Sequence, residues 1–326
     1  MCLEGVGEAD RTRGPIWRAV RQGDNLMKFK MTGWIVCVFW LFLASLLAGC
    51  RSVHPELAAA FSSGVSSTRI QSQQAFEAVG TMVAEASIDY AAAQEHLVEA
   101  GFLIGLDQAG VQAWEEILEG VGRYAQHLQL LTEPRFVQPF EEESIALAGE
   151  LNKVGRHLRD GAYPGLELQI SPAVATSFTS LGGKILQARA QAHARQIIRA
   201  ADADIARICA ALAQSVGGSP TNGLRGTARE HWNELLAERK AAFLNTSALA
   251  ARRQIATAFS ILLQRRGAQD DLLLALSRSL LRLGELHHAL AAGQSAPVRT
   301  AALALEAEVR HGRELYDRFN LKLKTP

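Results

Sequence analysis

Cysteine is scarce in this 326-residue chain, and it is badly placed for cross-linking. There are four, Cys2, Cys37, Cys50 and Cys209. Only Cys209 lies beyond residue 50, so the region after that point has no second thiol for an intrachain disulfide. Aromatic residues make up 6%. An excess of one charge is also missing: 34 Lys+Arg stand against 33 Asp+Glu, a net charge of +1. A dedicated nucleic-acid binder carries a clear basic excess, so that class is excluded. Linear catalytic motifs are absent too. There is no Gly-x-Ser-x-Gly elbow and no His-Glu-x-x-His zinc motif. Gly182-Gly183-Lys184 fails as a phosphate loop. Phe178 stands where the first glycine belongs, and Ile185 replaces the Mg²⁺-holding Ser or Thr.

What the chain does have is Ala, Leu, Arg and Glu, all good helix formers. Pro55, Pro134, Pro139, Pro164, Pro172, Pro220 and Pro297 fall between periodic segments, each beside another break signal. The pattern predicts helices over 55–100, 107–131, 139–160, 172–216, 223–264, 269–292 and 296–320. Ser171 before Pro172 is an expected N-cap, and Ser295 is expected to cap the last helix. The span from Gly217 to Gly223 reads as the clearest loop. Leu166-Glu167-Leu168-Gln169-Ile170 alternates like a strand but is short and solitary.

The apolar spacing within these segments predicts packing. Val298, Ala302, Leu305, Val309, Gly312, Tyr316 and Phe319 alternate at intervals of four and three, a coiled-coil-like seam. Leu273, Leu276, Leu280, Leu283, His287 and Leu290 do the same. Phe178, Leu181, Ile185 and Ala188 form a third stripe, which continues one position out of register through Ile198, Ala201, Ile205, Ile208 and Leu212. Short loops favour antiparallel neighbours. The expected fold is therefore an all-α, antiparallel multi-helix bundle with long coiled-coil-like helices. Charge divides unevenly along it. Residues 51–170 hold 7 Lys+Arg and 17 Asp+Glu, net −10, whereas residues 171–326 hold 21 and 12, net +9. Mutual compensation within one body is the expected outcome; a basic face for an anionic partner is the sharper alternative.

Two Glu-x-x-His pairs, Glu285 with His288 and Glu308 with His311, have the i,i+3 spacing of metal-binding bundles. The seams leave both pairs outside the buried stripe, and no metal site is expected. The register places His287 on an apolar seam as a core histidine, and Cys209 beside Ile208 and Leu212 as a small buried hydrophobe. Glu141-Glu142-Glu143 complements a helix dipole. Asn245-Thr246-Ser247 matches a glycosylation acceptor.

Residues 27–50 read MKFKMTGWIVCVFWLFLASLLAGC. Lys28 and Lys30 precede an uncharged apolar run from Trp34 to Leu47, and Leu47-Ala48-Gly49-Cys50 closes it. A basic head, a short apolar core and small residues at a cleavage point form the secretory-signal pattern. Trp34–Gly49 falls short of the ~20 residues that span a bilayer comfortably. The Leu-Ala-Gly-Cys ending resembles the lipobox of bacterial lipoproteins. That resemblance implies a signal cut just before Cys50, a diacylated Cys50 thiol, an acylated new amine and palmitate-type chains in the membrane. Each buried CH₂ contributes about 0.8 kcal/mol, so two or more chains anchor stably. In the resembled family an Asp after the cysteine retains the protein in the inner membrane; Arg51 here implies delivery to the outer membrane, facing the periplasm. Residues 1–26 are unusual ahead of such a signal, and Met27 or Met31 is the expected start.

The sequence therefore predicts a signal segment over 1–49 and a helical periplasmic domain over 50–326. The expected function is that of a non-enzymatic, membrane-anchored lipoprotein that binds or scaffolds another envelope component. Its expected partners are membrane lipid through acylated Cys50 and an envelope protein or anionic envelope polymer; no nucleic acid and no cofactor are expected. The alternatives are a metal- or haem-holding bundle built on His287 and an enzyme without a linear motif.

Overall fold

The computed structural model of the protein describes residues 55–92, 106, 108–132, 140–160, 171–188 and 194–321. All fall in one compact unit, Ser52–Pro326. The signal segment, Cys50 and the strand-like 166–170 lie outside the described residues. Among the described residues there are eight helices and no strand: α1 (Pro55–Ala92), α2 (Gln108–Thr132), α3 (Phe140–Asp160), α4 (Pro172–Ala188), α5 (Ala194–Val216), α6 (Gly223–Asn245), α7 (Leu249–Ala292) and α8 (Ser295–Leu321). None is long and apolar enough to cross a membrane.

Local chemistry sets several of the ends. The Ala173 N–H donates to Ser171 Oγ at 3.3 Å, the expected cap with Pro172 in the first turn. At the α7–α8 turn, Gly293 has φ 73° and its N–H donates to the Leu290 carbonyl at 3.0 Å. That left-handed conformation closes a helix at little cost only in glycine. α8 then opens with the Val298 N–H on the Gln294 carbonyl, so Gln294 rather than Ser295 holds the cap position.

α7 is the hub, packed against α1, α5, α6 and α8. The expected seams are what it buries. Leu273, Leu276, Leu280, Leu283, His287 and Leu290 are all within the core, as are Val298, Leu305, Val309, Gly312 and Phe319 of α8. α5 contributes Ile198, Ala201, Ile205, Ile208 and Leu212. The second layer is antiparallel as well. α1 lies along α2, with Phe76 edge-on to Trp114 (ring centroids 5.3 Å apart) and Gln73 beside Glu115. α3 lies along α4, where a methyl at Gly155 would meet Thr179 Oγ1 at 2.7 Å, so only glycine permits that approach. The all-α antiparallel bundle is thus the observed architecture.

Among the described residues three ion pairs join the acidic segment to the basic one: Glu56 with Arg299 (3.9 Å), Glu85 with Arg265 (2.5 Å) and Asp89 with Arg239 (2.6 Å). They also give the direction of packing. α1 starts beside the beginning of α8 and ends beside the middle of the α6–α7 hairpin.

Two helix boundaries differ from the sequence expectation. The segment 172–216 forms two helices, α4 and α5, with 189–193 outside the described residues. More consequentially, α7 runs unbroken through 265–268, where the expected helices 223–264 and 269–292 left a gap. Gly267 faces open space, while neighbouring Arg265 is held by Glu85 and by the rings of Trp232 and Phe319. Those contacts offset the ~1 kcal/mol a mid-helix glycine costs. The turn falls instead at Thr246–Ala248. Thr246 Oγ1 donates back to the Ala242 carbonyl at 2.8 Å and its N–H to Phe243. Asn, Thr and Ser compete with helical backbone bonds in this way.

Candidate functional site

Three places in the unit concentrate polar or unpartnered chemistry. The first is inside. Tyr124 of α2, Asp202 of α5, and His287 and His288 of α7 form a chain of hydrogen bonds. His287 Nδ1 lies 3.2 Å from Asp202 Oδ1, and its Nε2 lies 2.9 Å from the Tyr124 hydroxyl. His288 Nδ1 reaches the other oxygen of Asp202 at 2.8 Å. The carboxylate can only accept, so Nδ1 of neutral His287 carries the proton and Nε2 accepts from the Tyr124 O–H. Burial lowers the His287 pKa against the opposing pull of Asp202. The Asp202 carboxyl is held below its usual value, chiefly by the His287 hydrogen bond. Burial pushes the Tyr124 phenol well above 10. Phe61 stacks edge-on at 5.1 Å and seals the histidine.

A Tyr-His-Asp relay has the parts of a nucleophile and its base. Here Tyr124 and His287 are completely buried, and both ring nitrogens are engaged. Neither nitrogen has a lone pair free for a metal or haem. The array binds α2, α5 and α7 to one another.

The second place is an open groove of roughly 580 Å³ between α2 and α3. Its polar groups pair with one another: across it, Glu116 with His157 at 2.6 Å and Arg123 with Glu150 at 2.7 Å, and along α2, Arg123 with Glu119 at 2.6 Å. The Glu150 hydrogen bond is the largest cause of a raised Arg123 pKa. These groups neutralise one another at a wetted surface, where each pair contributes about 0–1 kcal/mol.

The third is the α6–α7 hairpin. Leu236 and Leu262 are the last buried residues on its two limbs, and no residue from 237 to 261 is buried. The tip carries the two most exposed large hydrophobics of the described residues, Leu244 (80%) and Leu249 (77%). Arg252 lies over the Phe243 ring at 4.2 Å, and Lys240 over Phe259 at 5.7 Å. At 1.5 Å per residue the hairpin extends about 15 Å past the last buried leucines.

The residues singled out by sequence fall as follows. Leu47, Ala48, Gly49 and Cys50 are outside the described residues. Glu285 pairs with Arg282 and is exposed, as are His288 and His311; Glu308 lies 3.9 Å from Arg278. Among the described residues no three His, Cys, Asp or Glu side chains gather to hold a metal ion. Cys209 is buried, and burial raises its pKa to about 12. Lys184 pairs with the buried carboxylate of Asp204 at 2.8 Å, a structural role. Sequence reasoning missed the projecting arm, although Asn245-Thr246-Ser247 between Leu244 and Leu249 was the available signal.

Fold and site define an all-α helical bundle with a projecting two-helix arm. No protein-family model, no curated protein and no solved structure matches the chain.

Proposed function

We propose that the protein is a lipid-anchored, non-catalytic envelope lipoprotein whose helical unit serves as a binding or scaffolding module in the periplasm, with Cys50 as the acylated residue. The single observation behind the binding role is the arm, an element that carries apolar side chains yet buries none of its 25 residues from 237 to 261. Exposed apolar surface on a projecting element favours association with something else. Inside the unit, by contrast, Tyr124, His287 and Asp202 are already spent on one another. Leu47-Ala48-Gly49-Cys50 behind Trp34–Leu47 supports the anchor, and Arg51 supports the outer membrane as its destination.

The anchor is tested by Cys50→Ser. The expected result is loss of lipid labelling and accumulation of the uncut precursor; normal maturation of this variant would contradict the reading.

A further inference from the structure

The arm has a charge pattern that its host helices lack. From Arg239 to Gln269 there are 31 residues without a single Asp or Glu, and six of them are Arg or Lys. Two of the six are engaged, Arg239 with Asp89 and Arg265 with Glu85. Lys240, Arg252, Arg253 and Arg266 have no carboxylate partner among the described residues. The outward acids of α6, Glu230, Glu234 and Glu238, stop one residue before this span begins. At its end, on either side of the Thr246–Ala248 turn, sit Leu244 and Leu249, nearly bare.

We propose that this arm is a membrane-docking device that engages an anionic phospholipid bilayer, with Leu244 and Leu249 entering the acyl boundary and Lys240, Arg252 and Arg253 meeting lipid phosphates. Cationic residues behind a small apolar tip match the two layers of such a surface, phosphate above hydrocarbon. A soluble anionic polymer satisfies the arginines but leaves two leucines in water. An acidic protein groove satisfies both only if it is shaped to the tip. Aromatic rings under Arg252 and Lys240 hold the cations beside the tip rather than free in solvent.

The test uses the mature lipidated protein in neutral phosphatidylcholine vesicles, with an environment-sensitive dye on Ser247→Cys. Buried Cys209 does not compete for the dye, and mass spectrometry of the same sample reads the acyl chains on Cys50. Acceptor vesicles containing phosphatidylglycerol are added. The expected result is a blue shift of the dye and vesicle clustering, both weakened as salt rises. Leu244→Ser with Leu249→Ser, or Arg252→Gln with Arg253→Gln, is expected to weaken apparent affinity about tenfold while helix content stays the same. An unshifted dye, equal response to neutral acceptors, unchanged affinity in both double variants, or a shift only with cell-wall fragments or an added protein would overturn the proposal. A missing acyl mass with a shifted dye would sink the anchor of the proposed function and leave the docking arm standing.

Discussion

Helix α7 is two helices in one. From Leu262 to Ala291 its inner side touches α1, α5, α6 and α8, and Leu272, Leu276, Leu280, Leu283 and Leu286 are buried to within 1%. From Leu249 to Ile261 the same continuous helix has no buried residue. The first part is held by tertiary packing. The second is held by its antiparallel neighbour α6 and by helix propensity, with Ala at 250, 251, 256 and 258. The comparison separates residues that stabilise the unit from residues that are free to bind.

A large effect is expected where the two parts join. Arg265 is 5% exposed and hydrogen-bonds only through Nη1, to Glu85; its Nε and Nη2 have no partner. Glu85→Ala leaves that cation buried with no carboxylate, only the Trp232 and Phe319 rings beside it, and chemical denaturation is expected to read a loss of about 3 kcal/mol. Glu85→Ala within 0.5 kcal/mol of wild type would mean that the joint is solvated and the boundary lies deeper in the body.

A pair of like substitutions sharpens the contrast. Leu276→Ala opens a hole in the core and is expected to cost about 2–5 kcal/mol. Leu249→Ala, at 77% exposure, is expected to stay within about 0.5 kcal/mol. Similar losses at both positions would erase the distinction between body and arm.

Acid bears on the body alone. His127 is buried beside Ser144 (3.2 Å), and burial lowers its pKa from 6.5 to about 4. Between those values the unfolded chain binds a proton that the folded one refuses. Stability therefore falls as pH drops from about 6.5 to 4, by up to about 3 kcal/mol. His287, lowered in the same direction, adds to the fall. His127→Gln is expected to flatten part of that slope in pH-dependent urea melts. An unchanged slope would contradict the burial of His127. The arm carries no histidine between residues 237 and 261 and is expected to show no change over this range.

The body was legible in the sequence because its helices are long and one-sided. The stripes through Leu273–Leu290, Val298–Phe319 and Ile198–Leu212 report burial directly, and His287 and Cys209 could be placed inside by register alone. The arm was not legible for the converse reason. Its inner residues, Ala251, Ile255, Ala258 and Phe259, are only half-buried and their spacing runs on into buried Leu262, so the apolar pattern does not mark where body ends and arm begins. The expected break fell at 265–268, beside Gly267, rather than at Asn245-Thr246-Ser247. In the structure Arg265 carries the helix past the glycine through contacts that are 180 residues distant in sequence, which local propensity does not record. The Tyr124–His287–Asp202 array is equally non-local, with partners on three helices.

Native-state hydrogen exchange along α7 tests the division of this helix most directly, since it reads each amide of one continuous element in one experiment. The account predicts that amides from 268 to 290 exchange only through global unfolding, whereas those from about 252 to 260 open locally at far lower free energy, with the change falling near Leu262. Uniform protection from one end of α7 to the other would contradict it.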